Sequence, residues 1–234
     1  MSTPTLAGYT SHLHSASATT RSFTFIVENT DVLVMVFVNA IQASTDPSDR
    51  GVAGVTIDGA AATEEISLRT TSTNRRYASG LYELSGLSAG TKTIEVTYSA
   101  PFNNHVVYAV EVTGHAPAPI LQNAGALNGA TATSGLVGVT TTRTDSLWIG
   151  CSRTQDGAKT LTPTSGCTEI NEKTNSAGLT QAVVASLITR SGAGTYNLGS
   201  SWSGGIAGGG LMAVEIAHAP TGLKSFPYFY RQRQ

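Results

Sequence analysis

Five histidines, two cysteines and fifteen acidic residues are the side chains of this 234-residue sequence with the means for acid–base, nucleophilic or metal chemistry. His12 and His14 stand two residues apart. An extended backbone puts both imidazoles on one face, a geometry that metal ions accept. No third ligand lies near them in the sequence. His115 and His218 occupy matching places in two similar stretches, AVEVTGHAP (109–117) and AVEIAHAP (213–220). Matching positions in repeated segments are expected to serve architecture before catalysis. A serine hydrolase needs an addressable nucleophile, and no G-x-S-x-G elbow occurs.

The same two stretches offer a carboxylate pair, Glu111 and Glu215, of the kind glycoside hydrolysis uses. Each shares a strand face with a small residue, Ala109 or Ala213, and is read as lying on a solvated or groove-lining face. Glu64-Glu65, Glu169 and Glu172 read as edge charges. The loop around Asp46 and Asp49 lacks the oxygen ligands that calcium needs. The glycine-rich run SGGIAGGGL (203–211) lacks the Gly-Lys-Ser/Thr of a phosphate loop. Cys151 and Cys167 are too few for a disulfide framework and read as two buried thiols, with a bridge between neighbouring strands as the alternative. No catalytic residue, cofactor or metal site is assigned, and an enzyme is not expected.

The elements that must position these residues are strands. In SFTFIVE, Phe23, Phe25 and Val27 alternate with polar neighbours. VLVMVFV (32–38) is apolar without interruption and short, as a strand covered on both faces would be. Asp58-Gly59 is a two-residue hairpin signal. Strands are expected at about 63–70 and 77–84. In KTIEVTY, Ile94, Val96 and Tyr98 face inward; in HVVYAVEVT, Val106, Tyr108, Val110 and Val112 form one apolar face. Ala109 and Glu111 recur as Ala213 and Glu215, each 104 residues later, and TDVLVMV (30–36) is echoed by TDSLWIG (144–150). LTQAVVASLIT (179–189) has apolar residues at helical spacing, but the repeat register lays it on a strand.

These patterns predict an all-β protein with very little helix: a jelly-roll-like antiparallel β-sandwich. It is built from related halves at about 22–119 and 133–220 that share one core, with two tandem sandwiches as the alternative. Residues 1–20 have no period and read as an N-terminal arm. The sandwich runs over 21–222, and 223–234 is an aromatic and basic tail. In that tail Phe226, Tyr228, Phe229, Tyr230, Arg231 and Arg233 are expected to dock on a partner, because an exposed aromatic cluster is a liability. Tyr77, beside Arg75 and Arg76, and the two tryptophans, Trp148 and Trp202, would stack on sugars if they sit on a rim, and fill the core otherwise.

A net charge of −1 with 12% charged residues is too neutral for an electrostatic nucleic-acid binder. No stretch is apolar for long enough to cross a bilayer, so no membrane partner is expected. The opening residues hold no basic-then-apolar leader, so classical export is not expected either.

GVTIDGAAAT, LYEL, LSAGTKTIEVTYS and VVYAVEVTG together resemble a β-sandwich family shared by tailed-phage virion structural proteins and bacterial surface proteins. Val55, Thr56, Gly59 and Thr63 fit its first hairpin; Gly90, Thr91, Thr93, Ile94, Val96 and Thr97 fit its second. Asp58 departs from the glycine common there, and the aromatic tail is this chain's own. The resemblance implies a non-enzymatic structural or recognition module. The expected function is a bacteriophage virion structural protein, a capsid decoration, head-fibre or tail-surface subunit assembled in the host cytoplasm. It would bind other virion proteins and itself through its terminal arms. The alternative is a carbohydrate-binding or adhesin module that recognises a surface glycan.

Overall fold

Short runs of β-branched and aromatic residues, punctuated by glycine and Asx turns, leave no segment with the length or period of a helix. The computed structural model describes residues 4–43, 51–72, 75–127, 132–141, 143, 145–154, 160–164, 166–174, 180–187, 194–206 and 210–219. Among them every regular element is a strand. The first set comprises β1 (Thr5–His14), β2 (Ala18–Val27), β3 (Val32–Ala43), β4 (Val52–Ile57), β5 (Ala60–Ala61), β6 (Thr63–Ser72), β7 (Arg75–Leu87), β8 (Gly90–Phe102) and β9 (Asn104–Thr113). The second comprises β10 (His115–Leu127), β11 (Ala132–Thr141), β12 (Leu147–Arg153), β13 (Thr162–Pro163), β14 (Thr168–Thr174), β15 (Thr180–Leu187), β16 (Gly194–Ile206) and β17 (Gly210–His218).

These strands make four antiparallel sheets. The first set forms β1-β9-β3-β7-β6 and β2-β8-β4-β5. The second forms β10-β17-β12-β15-β14 and β11-β16-β13, so its strand order follows that of the first set apart from the short β5. The strand at 180–187 pairs with β12 from Leu147↔Leu187 to Arg153↔Gln181, so the extended reading of this segment holds. The hairpin at Asp58-Gly59 also holds. Both residues have positive φ (50° and 80°), and the Asp58 carboxylate accepts the Thr93 N–H at 2.7 Å.

Strand parity sorts the apolar side chains into three layers. On β3, Val32, Val34, Val36 and Val38 turn toward Phe23, Val55, Ile94 and Val96 of the β2-β8-β4 sheet. Leu33, Met35 and Phe37 turn the other way, with Tyr108 and Val110, onto Leu147, Ile149, Met212 and Val214 of the second set. Trp148, Leu211 and Ala213 then face Val137, Val139 and Leu198 of β11 and β16. The four sheets therefore stack as four layers. VLVMVFV is buried on both faces as its composition requires. The middle layer is a core that both sets share, largely apolar but with Asn39, Ser79 and Arg153 buried in it, and each set encloses a further core of its own.

The central sheets meet with opposite edges superposed. Ser11 of β1 reaches Asn171 of β14 at 3.5 Å, and Asn123 of β10 donates to Glu65 of β6 at 3.0 Å. First-set edge meets second-set far edge on both sides, the arrangement of an isologous two-fold contact.

The reading of residues 1–20 as an arm is also corrected. Residues 5–14 are β1, paired with β9 from Thr5↔Thr113 to His14↔His105, and residues 18–20 open β2. An edge strand keeps one side in water, so Thr, Ser and Gly satisfy it without an apolar period.

Candidate functional site

Glu111 and Glu215 occupy corresponding registers: Glu111 lies between Gly8 and Val34, Glu215 between Gln122 and Trp148. Neither is solvated, which corrects the expectation; both are fully buried. A buried carboxylate persists when donors meet it. Glu111 accepts the backbone N–H of Glu28 and of Asn29, each at 3.0 Å, and the Asn29 side-chain amide at 2.9 Å. Glu215 accepts the hydroxyls of Thr141 and of Ser146 (2.5 Å) and the Gln122 amide (2.5 Å). Each carboxylate thus pins the crossing from its set's second strand to its third. Val110 and Val112 face the middle layer, as do Val214 and Ile216, so the two carboxylates point away from each other into opposite sandwiches. They cannot flank one glycosidic bond.

The corresponding histidines serve the same crossings. His115 lies 3.2 Å from the Asp31 carbonyl oxygen, and His218 lies 2.6 Å from the Asp145 carboxylate. His12 and His14 touch through their Nε2 atoms at 2.7 Å, with the His12 ring stacked on Phe23 at 5.1 Å. Among the described residues no group of three metal-ligating side chains forms around them or elsewhere.

His105, opposite His14, is buried against Tyr98, with Nε2 2.7 Å from the Phe102 carbonyl oxygen. Burial is the main cause that lowers its pKa from 6.5 to about 4, against the opposing hydrogen bond to Phe102. The folded imidazole is neutral where the unfolded one takes up a proton, so stability present above pH 6.5 is lost as pH falls toward 4. Between pH 7 and 4.5 the wild-type chain should lose about 2 kcal/mol more than His105→Phe. Urea unfolding of both proteins at the two pH values measures the difference, and equal losses would refute it.

The candidate sugar-stacking aromatics are not on a rim, and this expectation is corrected. Tyr77, Trp148 and Trp202 are all buried. Trp148 fills the core between β12 and β11-β16, and the Tyr77 ring is covered by the Arg153 guanidinium, 5.1 Å from its centroid. Parity explains Trp148: it alternates with Leu147 and Ile149, which point into the middle layer, so it must enter the neighbouring one. Arg153 is itself buried, which lowers its pKa to about 10 and leaves it charged at neutral pH. Neither Cys151 nor Cys167 forms a disulfide; Cys151 faces the middle layer and Cys167 borders the β11-β16 core.

What the first set leaves open is an edge. Between β1 and β2 runs a half-open groove of about 280 Å³, lined by Gly8–Thr10, Thr24–Ile26 and Glu28. Its rim is apolar: Tyr9 is 46% and Ile26 66% exposed. Tyr9 and Ile26 were not singled out by sequence; their signal was apolar residues out of phase with the buried face of their strands. The expected docking residues Phe226, Tyr228, Phe229, Tyr230, Arg231 and Arg233 lie outside the described residues, as do Asp46 and Asp49.

No protein-family model, curated protein or solved structure matches the chain.

Proposed function

We propose that the chain is a non-enzymatic virion structural protein of a tailed phage, a decoration, head-fibre or tail-surface subunit. In it two related jelly-roll-like sandwiches are fused face to face. The observation that carries this reading is the recurrence of one strand order on both sides of a largely apolar middle layer. Such a stack is stiff, and jelly rolls are a recurrent building unit of viral capsids. Its best-placed acids and histidines are engaged in holding strand crossings. The open β1/β2 edge and the aromatic tail supply surfaces for other virion proteins or a second copy, by strand addition and buried area more than by charge. The experiment is deletion of the gene, followed by mass spectrometry and cryo-electron microscopy of purified particles. The reading expects the protein in wild-type particles and a missing surface feature in the deletion. Recovery only in the particle-free fraction would overturn it.

The glycan reading loses its stacking residues to the core. Trp148→Ala should therefore act on stability, costing about 3–5 kcal/mol, with no glycan-array signal to lose. An array signal in the wild type that disappears in a still-folded Trp148→Ala protein would reverse that conclusion.

A further inference from the structure

Glu111 and Glu215 are each met by three donors, but one buried cation has no such company. Arg153 is 1% exposed and is the last residue of β12, at one pole of the middle layer. Strand parity turns its side chain into that layer, on the face of Leu147, Ile149 and Cys151. Among the described residues no acceptor lies within hydrogen-bond distance of its Nε, Nη1 or Nη2. The guanidinium lies over the Tyr77 ring, 5.1 Å from the centroid. That contact covers a flat face of the group and leaves its N–H donors, which lie in the plane, unmet.

The polar groups that share the layer are engaged elsewhere. Ser79 donates to Asn39 Oδ1 at 2.6 Å, and Asn39 Nδ2 donates to Cys151 Sγ at 3.6 Å. Burial pushes the Cys151 thiol up to about 12, so it stays neutral at pH 7 and brings Arg153 no negative charge. The cross-strand neighbour of Arg153 on β17 is Gly210, which has no side chain to offer. An ion taken out of water with nothing to neutralise it is strongly destabilising, and buried charges in folded proteins are paired. The planar fork of a guanidinium matches two oxygens of one oxyanion better than it matches a single-atom ion.

We propose that Arg153 holds a small free oxyanion, a phosphate, sulfate or short carboxylate, at this pole of the middle layer, with Tyr77 backing the guanidinium. Tyr77 belongs to β7 of the first set and Arg153 to β12 of the second. The anion therefore neutralises a charge that sits where the two sets meet, and its binding adds to the stability of that contact. The site is independent of the virion reading and of the open β1/β2 edge.

Equilibrium urea unfolding followed by tryptophan fluorescence tests it. Sodium phosphate, sulfate or acetate is added in millimolar steps to one chloride buffer, with sodium chloride at matched ionic strength as the control. Unfolding frees any anion carried through purification, so the titration reads the site whether or not it starts filled. The unfolding constant of the wild type should fall saturably, by about tenfold once the favoured oxyanion stands at about ten times its dissociation constant. Arg153→Met, which keeps an unbranched stem and loses the charge, should show no saturable fall. General salt effects on burial act on both proteins alike and cancel in the comparison. Arg153→Lys, which keeps the charge without the fork, covers the case in which Arg153→Met does not fold; its fall should need several-fold more anion. The absence of a saturable fall with all three oxyanions in the wild type would overturn the proposal, as would a fall in either variant equal to that of the wild type. An equal response to added chloride would overturn the assignment to an oxyanion.

Discussion

Glu111→Ala should destabilise the protein by about 3–5 kcal/mol, a large share of the stability of a typical domain. The substitution removes the acceptor of three N–H donors at once, two from the backbone of Glu28 and Asn29 and one from the Asn29 side chain. Those donors are held by the β2–β3 crossing and cannot all turn to water. Glu111→Gln should cost less, about 1–3 kcal/mol, because one carbonyl oxygen still accepts while the new amide faces a donor. Glu215→Ala should act alike on the second set, where Thr141, Ser146 and Gln122 lose their acceptor. Both tryptophans belong to the second set, on β12 and β16. Fluorescence therefore reports that set, while circular dichroism reports the whole chain. If Glu111→Ala leaves the urea midpoint unchanged by both probes, the carboxylate does not anchor the crossing.

Val214→Asp should be the most damaging single change, costing about 4–5 kcal/mol or more. Val214 is fully buried in the middle layer, among Ile149, Met212 and the side chains of β3 and β9 that face it. An aspartate there would replace an apolar side chain packed among apolar neighbours, whereas Glu215 one residue on is met by three donors. The damage falls on the contact between the two sets, while Phe23, Val34, Ile94 and their neighbours keep the first set's own core. Two separated transitions in urea, the fluorescence change preceding the loss of strand signal, are the expected outcome. One transition at the wild-type midpoint would show that the middle layer contributes little.

Strand identity was largely legible in the sequence, because it rests on a period that a single chain displays. VLVMVFV announced burial on both faces; it could not say that one face belongs to its own sandwich and the other to the second set, since that depends on which sheet arrives. The correspondence of Glu111 with Glu215 was legible too, but their burial was not. A carboxylate stays inside because of donors such as Asn29 and Ser146, and those come from crossings with no regular pattern. β1 was missed because TLAGYTSHLH is half-solvated and because the register shift between Leu6 and Gly8 breaks its alternation. The edge groove escaped for the same reason: one of its walls is Gly8, Tyr9 and Thr10 of that strand.

The superposed edges of the two central sheets give the chain the contact geometry of a homodimer, yet a single polypeptide carries both partners. In a true homodimer every substitution is written twice, so a cleft on one subunit is a cleft on both and the assembly is bivalent. Joining the partners in one chain, with only Gly114 between β9 and β10, lifts that constraint. Gly8 and Gln122 were free to differ, and the unit keeps symmetric packing while presenting one distinctive edge.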